Sequence, residues 1–291
     1  MTDRLKPLLF PVAGAVLLGL GGLILVNLRP WSSSHSQQDS ESLLDLLLMQ
    51  SPPREASRSQ EKRAPLPPPR APWASPLQEV CPPLDVALRE RLLRLQERLK
   101  DATAIQRIHP SNYGERYQVD AYGATVDPTP RVIVLHETVY GLGSALNTFS
   151  THHEDDADQV SYHSLIGLEG RLVRVVDPRN RAFGAGNSAF NNQWVVTNPS
   201  VGGSINNFAL HLSLETPLDG ENDGPEHSGY TPSQYDTLAL ELAHWMQRFR
   251  IPATHITTHR YVDLGGERAD PRSFNWQALA LRLRALGLLC G

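Results

Sequence analysis

The sequence predicts an α/β domain with a mixed central β-sheet flanked by helices, preceded by a transmembrane helix and a disordered linker. Three segments predict the domain. Residues 131–137 (RVIVLHE) form a short β-branched run behind a proline, which is typical of a buried strand. Residues 207–215 (NFALHLSLE) alternate between two kinds of side chain, as in a strand with two different faces. Residues 231–249 open with a Thr-Pro-Ser-Gln capping signal for a helix, and helices between strands favour a layered α/β fold.

Residues 1–29 predict a membrane anchor. Residues 7–28 carry no charge, and as a helix rising about 1.5 Å per residue they would reach roughly 33 Å, which matches a hydrocarbon core. Because no small-residue cleavage site follows, the pattern favours a retained signal anchor over a cleaved signal peptide. Arg4 and Lys6 outnumber Arg29, so we expect a single-pass protein with its domain on the periplasmic or cell-wall side. Secretion after signal-peptide cleavage is the alternative.

Two segments connect this anchor to the domain. Residues 30–82 are rich in Ser, Gln and Pro and predict a disordered linker. Residues 83–104 predict an amphipathic helix, in which five leucines recur at spacings of three and four: Leu84, Leu88, Leu92, Leu95 and Leu99. Without further heptads these leucines favour packing on the chain's own domain over a coiled coil. The domain itself is assigned to residues 105–291.

Charge and cysteine content limit the possible functions. The net charge of -4 and the absence of a Lys/Arg cluster argue against nucleic-acid binding, which needs concentrated positive charge. Cys81 and Cys290 do not have zinc-type spacing. In an oxidising compartment they would form one disulfide, and the alternative is two unpaired thiols.

The remaining elements of the domain follow in chain order. Residues 143–153 have helical spacing, and residues 161–177 predict two strands joined at a Glu-Gly turn, which indicates a hairpin. Residues 275–286 predict a final helix. Hairpin pairing between helices indicates that the sheet is mixed.

Three polar residues occupy positions where such a sheet presents functional groups. His136 ends the first strand, His259 follows a short apolar run, and Asp270 lies in the next loop. Two imidazoles and one carboxylate, with a fourth position left to water, form a ligand set suited to catalytic zinc. Spacing alone leaves this assignment open, because the two histidines lie far apart in the chain.

Six segments occur in a fixed order between residues 108 and 280: VIVLHET, VSYHSLI, RAFGAGNS, NNFALHLSLE, HSGYTPSQY and ITTHR followed by ERADPRSF. This order resembles the zinc-dependent N-acetylmuramoyl-L-alanine amidases of the type-2 amidase and peptidoglycan recognition protein superfamily. The resemblance implies a type-2 amidase-like fold. It also implies hydrolysis of the amide between N-acetylmuramic acid and L-alanine in peptidoglycan or muropeptides, in cell-wall remodelling or recycling. We expect the protein to be a monomer.

The resemblance also implies roles for individual residues. His136, His259 and Asp270 are expected to bind Zn²⁺. Tyr162 is expected to line the site. Arg268 is expected to assist catalysis, since a guanidinium can stabilise an oxyanion but cannot act as a base.

The general base is not fixed by the resemblance. In part of the family a glutamate on the strand matching residues 207–215 assists the water, and alignment on Asn-Asn-Phe puts Ser213 there. Glu215 lies two residues later on the same predicted face, so we take Glu215 as the candidate carboxylate and leave the Ser213 position open. His211 shares that face, where substrate contact and a structural role are both open. Gly184 departs from the family, in which many members carry a histidine after the aromatic residue.

A non-catalytic peptidoglycan-binding module is the alternative function. Members of the superfamily that lack the full metal set bind peptidoglycan without cleaving it. The presence of Asp270 together with both histidines favours the enzyme.

Overall fold

The computed structural model describes residues 63–290. The predicted membrane anchor, residues 1–29, and the predicted linker up to residue 62 lie outside this part of the chain. Within residues 63–290, no helix combines the length and the apolar character needed to cross a membrane.

The described residues form five α-helices and ten strands. The helices are α1 (Val86–Ala102), α2 (Leu142–Ser150), α3 (Pro232–Phe249), α4 (His259–Val262) and α5 (Trp276–Ala285). The strands are β1 (Ala104–Ile105), β2 (Tyr113–Glu115), β3 (Val132–Glu137), β4 (Ser164–Ile166), β5 (Leu172–Arg174), β6 (Asn180–Ala182), β7 (Val195–Asn198), β8 (Gly202–Ser204), β9 (Ala209–Leu214) and β10 (Ile256–Thr258).

Six strands form a central sheet in the order β1-β5-β4-β9-β3-β10. The β4–β5 pair is antiparallel, and the other neighbouring pairs are parallel. The predicted mixed sheet is therefore confirmed. Along the β3–β9 pair, Val134 lies opposite His211 and His136 lies opposite Ser213. Two smaller antiparallel sheets, β2–β6 and β7–β8, lie outside this sheet.

The two faces of the sheet have different partners. On one face, Ile133 and Leu135 pack in a cluster with apolar side chains of α3 and α5. On the other face, Val132 and Val134 pack with Phe208 and Val262. Because strand side chains alternate, His136 shares the face of Val132 and Val134. His136 of β3, and His211 and Ser213 of β9, therefore face away from the α3–α5 layer.

Local signals explain the boundaries of α3 and of the β4–β5 hairpin. The Thr231 side chain accepts a hydrogen bond from the Gln234 backbone N–H, and the Gln234 side chain accepts one from the Thr231 backbone N–H. This reciprocal capping box satisfies two backbone donors at the start of the helix. Gly170, with φ of +80°, provides the left-handed residue of the hairpin turn.

Helix α1 packs on the domain that follows it. Leu88 and Leu92 are buried against Leu240 of α3 and Ala285 of α5. An aspartate on α3, Asp236, accepts hydrogen bonds from guanidiniums on both α1 and α5. This helix and the domain therefore share one core.

Residues 63–82, which we name the strap, also lie on the domain. Trp73 packs against Tyr261 with ring centroids 4.5 Å apart, and its indole N–H donates to the Ile256 carbonyl, 183 positions away in the chain. Leu77 is only 3% exposed within the core of the α3–α5 face. The predicted disordered linker therefore does not extend over residues 63–82, because aromatic contacts and backbone hydrogen bonds hold them in place.

Cys81 and Cys290 form a disulfide at the end of the strap. The sequence left open a disulfide or two unpaired thiols, and the structure contains the disulfide. It joins the strap to the C-terminal end of the domain, and the two cysteines are 209 positions apart.

Candidate metal centre

Two neighbouring parallel strands bring the polar residues together. His136 lies near the end of β3, and His259 opens α4 immediately after β10. Leu135 and Thr258 are paired across β3 and β10, so the residues that follow them reach the same edge of the sheet. The Thr258 side chain caps α4 by accepting from the Tyr261 backbone N–H.

Asp270 completes a three-residue cluster. Its Oδ2 lies 3.2 Å from Nδ1 of His136 and 3.2 Å from Nδ1 of His259, and its Oδ1 lies 3.0 Å from the latter nitrogen. One donor atom from each of the three side chains lies within 4.8 Å of the others. The three residues for which metal binding was predicted are thus close together in space.

The cluster is largely shielded from solvent. His136 is 0% exposed, and burial lowers its pKa to about 4, although the hydrogen bond to Asp270 acts in the opposite direction. Burial would raise the pKa of Asp270, but hydrogen bonds from His136 and His259 lower it below its usual value. These shifts favour an ionised Asp270 and a neutral His136.

This donor set fits a divalent cation. Tetrahedral ligands about 2.1 Å from a zinc ion lie roughly 3.4 Å from one another, close to the separations of Asp270 from the two imidazole nitrogens. One carboxylate oxygen and two imidazole nitrogens are donors that zinc accepts, and three protein donors leave a fourth position for water or substrate.

Hydrogen bonds outside the cluster fix its geometry. The Arg260 backbone N–H donates to the Asp270 carbonyl, which ties the loop to α4. Glu137 points away from His136 and accepts from the backbone N–H and the guanidinium of Arg272, two residues after Asp270. Glu137 and Arg272 therefore connect the end of β3 to the loop that carries Asp270.

Tyr162 lies against the cluster. Its ring stacks on that of His136 with centroids 4.4 Å apart and an angle of 25° between the planes. Burial raises the pKa of the Tyr162 hydroxyl above its ordinary value. The hydroxyl therefore stays protonated and can donate a hydrogen bond.

Arg268 lies on the loop between α4 and Asp270. Its side chain is exposed, while its backbone N–H and that of Glu267 donate to the Asp263 carboxylate. The charge of the guanidinium acts with burial to lower the pKa of His136, and it opposes the burial that raises the pKa of Tyr162. The loop thus holds a positive charge near the cluster and open to solvent.

Glu215 is not part of the cluster that His136, His259 and Asp270 form. Its two carboxylate oxygens accept from the backbone N–H groups of Leu142 and Leu168. This carboxylate connects the start of α2 to the β4–β5 turn, and these contacts do not favour the predicted role as general base. Ser213, the alternative position, is buried, and its hydroxyl has no hydrogen-bond partner within residues 63–290.

His211 is the neighbour of the cluster whose role the sequence left open. Its Nδ1 lies 3.0 Å from Nε2 of His136, and burial lowers its pKa well below the usual value. Its ring occupies space beside Gly184, where a Cβ atom would lie 2.4 Å from the His211 ring. The sequence placed His211 on the polar face of β9. That position did not identify His136 as its partner.

Comparison with protein families gives one match. A family model described as N-acetylmuramoyl-L-alanine amidase matches residues 126–273, which is about half of the chain and contains the whole cluster. A search of curated proteins found no match.

Several solved structures are similar to this chain. AmpD, solved as a selenomethionine derivative, is 22% identical, and the match covers 60% of this chain and 92% of AmpD with a TM-score of 0.46. AmiD from E. coli, solved with its substrate anhydro-N-acetylmuramic acid-L-Ala-D-γ-Glu-L-Lys, is 21% identical over 59% of this chain and 65% of AmiD, with a TM-score of 0.42. The endolysin LysCS from Clostridium intestinale URNW is 15% identical over 62% of this chain and 95% of LysCS, with a TM-score of 0.39.

Proposed function

The chain is a peptidoglycan amidase that belongs to the N-acetylmuramoyl-L-alanine amidase family, and we propose that it uses Zn²⁺ to hydrolyse the amide between N-acetylmuramic acid and L-alanine. The observation that carries this proposal is the convergence of His136, His259 and Asp270. A binding module without catalysis would not need two imidazoles and a carboxylate arranged around one open position.

In this proposal Nδ1 of His136, Nδ1 of His259 and a carboxylate oxygen of Asp270 hold the ion. A bound Zn²⁺ lowers the pKa of a water molecule to about 7 and polarises a carbonyl group. Burial lowers the pKa of His136, hydrogen bonds lower that of Asp270, and the bond from the Arg260 backbone N–H to the Asp270 carbonyl orients the loop. The protein thus provides a preformed site and does not have to arrange it during each turnover.

Arg268 and Tyr162 act on the substrate in this proposal. As the amide carbonyl becomes tetrahedral, negative charge develops on its oxygen, and the Arg268 guanidinium stabilises that charge. Tyr162, whose hydroxyl stays protonated, donates a hydrogen bond in the same region. Neither group acts as a base: an arginine keeps its proton, and burial raises the pKa of the tyrosine.

Metal-dependent product release tests the proposal. The purified chain, treated with a chelator and then resupplied with Zn²⁺, is incubated with isolated peptidoglycan and with soluble muropeptides, and released peptide stems are measured. We expect release with zinc and none after chelation. Binding to peptidoglycan without release of stems under either condition would establish the non-catalytic alternative.

We also propose that the domain works outside the cytoplasm, tethered through residues 7–28, in the remodelling or recycling of the wall. The disulfide between Cys81 and Cys290 supports an oxidising compartment, since thiols in the cytoplasm are kept reduced. Cell fractionation with thiol labelling tests this. We expect the intact protein in the membrane fraction with both cysteines protected from the label, and free thiols in a soluble fraction would contradict it.

A further inference from the structure

His211 contacts the cluster on the side opposite Asp270. In the His136 ring, Nδ1 faces Asp270 at 3.2 Å, while Nε2 lies 3.0 Å from Nδ1 of His211. Both histidines are 0% exposed. The two nitrogens of the His136 ring therefore have different partners, one in the proposed metal site and one outside it.

The placement of one proton connects these two partners. A neutral imidazole carries a proton on only one nitrogen, so Nδ1 of His136 can offer its lone pair to a cation only when the proton is on Nε2. An N–H group buried in this way needs an acceptor, and Nδ1 of His211 lies at hydrogen-bond distance. We propose that His211 is a positioning residue that holds His136 in its metal-binding tautomer. This inference rests on the metal site of the proposed function.

The surroundings of His211 fix the plane of its ring. The His211 backbone N–H donates to Nδ1 of His163, and the two rings stack with only 9° between their planes. When Nδ1 of His211 accepts from His136, the ring proton of His211 is on Nε2, which is buried and has no hydrogen-bond partner in the described part of the chain, so binding of the cation at His136 must offset that unpaired donor. The hydrogen bond to His136 is therefore the one polar contact of the His211 side chain within residues 63–290.

Gly184 provides the space for this ring. A Cβ atom at Gly184 would lie 2.4 Å from Cγ and 2.5 Å from Nδ1 of His211, which is far inside van der Waals contact. A Cβ atom at Gly186, two residues later, would meet no atom within 4 Å. Substitution by alanine should therefore displace the His211 ring at Gly184 and leave it in place at Gly186.

Zinc titration of the metal-free, full-length protein against a competing chelator tests the proposal. The His211→Asn variant keeps a hydrogen-bond acceptor near the position of Nδ1, whereas His211→Leu has none. We expect His211→Leu to weaken zinc binding by about 10- to 100-fold, the usual effect of losing such a partner, and His211→Asn to stay near wild type. Nitrogen NMR of the zinc-loaded protein should show the proton on Nε2 of His136 in the wild type and in His211→Asn.

The glycine pair tests the same proposal without removing a polar group. We expect Gly184→Ala to weaken zinc binding, and Gly186→Ala to leave it unchanged. In the His211→Ala background, Gly184→Ala should cause no further loss, because the displaced ring is gone. This comparison also decides the matter if His211→Leu does not fold.

The outcomes separate the two proposals. A wild-type protein that binds no zinc would contradict the metal site itself. Wild-type zinc binding with equal affinity in His211→Leu, or in Gly184→Ala and Gly186→Ala, would overturn the role of His211 and leave the metal site in place.

Discussion

Oδ2 of Asp270 lies 3.2 Å from Nδ1 of His136, although 134 positions separate the two residues in the chain. Without a cation between them, the carboxylate and the imidazole are partners of each other. The same atoms become two donors to one ion if the imidazole proton moves to the other ring nitrogen. This contact therefore links the tautomer of His136 to the proposed binding of a cation.

Replacement of Asp270 by alanine should abolish stoichiometric zinc binding, because two imidazoles alone leave the site without its anionic donor. Zinc content after purification and dialysis, measured by atomic emission, checks this. Asp101→Asn removes an exposed carboxylate from α1 and is the control, with zinc content equal to that of wild type. Equal zinc in Asp270→Ala and wild type would contradict the ligand assignment.

Replacement of Arg268 by alanine should lower kcat by about 10²- to 10³-fold, as expected for the loss of one group that stabilises the oxyanion. Zinc content should not change, since the guanidinium donates no ligand atom. Steady-state rates on a soluble muropeptide give the measurement. Arg98→Ala removes another exposed arginine, on α1, and should keep the wild-type rate. If both variants were equally active, Arg268 would have no part in catalysis.

Replacement of Glu215 by glutamine should mainly affect stability. In the variant an amide N–H₂ group replaces one carboxylate oxygen and faces a backbone N–H, and an unpaired donor at this part-buried position costs about 1 kcal/mol. Urea unfolding of the metal-free protein measures this loss. A general base would show the reverse pattern, with unchanged stability and loss of the acidic limb of the pH–rate profile.

His163 should make the stability of the domain depend on pH. Burial lowers its pKa to about 3 from an ordinary value of 6.5, and the charge of Arg116 acts in the same direction. Between these values the unfolded chain binds a proton that the folded protein does not, so stability is complete above about pH 6.5 and falls as the pH decreases toward 3.

The slope of that loss is up to about 1.4 kcal/mol per pH unit for one such group. Urea unfolding of the metal-free wild type and of His163→Asn between pH 7 and pH 5 measures it. We expect the variant to have the smaller slope. Equal slopes would show that His163 does not contribute.

Removal of the disulfide by the double change Cys81→Ala and Cys290→Ala should destabilise the domain by about 2 to 5 kcal/mol, since the bridge restricts the unfolded chain. Thermal unfolding of the metal-free protein gives the measurement. Reductant should lower the Tm of the wild type to that of the variant, and it should leave the Tm of the variant unchanged. A variant as stable as the oxidised wild type would contradict a stabilising role for the bridge.

The sequence predicted the elements that depend on local signals. The capping box at Thr231 and the hairpin turn at Gly170 are set by residues within a few positions, and both are found in the structure. The approach of His136 to Asp270 was expected from a resemblance, because no local pattern relates a strand end to a loop so far along the chain.

Other long-range contacts were not predicted from the sequence. The composition of the strap is that of a spacer, and its attachment depends on Trp73 meeting Tyr261. The partner of His211 depends on the register between β3 and β9 and on the space beside Gly184. Neither the strand register nor the space beside a glycine can be read from apolar periodicity.

The strap determines where a mechanical load would enter the domain. Trp194 donates from its indole to the Pro65 carbonyl, and Tyr261, on the short helix that His259 opens, donates from its hydroxyl to the Ala71 carbonyl. A pull on the chain at Arg63 would therefore load the contact with Trp194 and the contact with the helix that carries His259 before the contact of Trp73 with the Ile256 carbonyl in the central sheet. The disulfide at Cys81 limits how much of the chain such a force can detach from the domain.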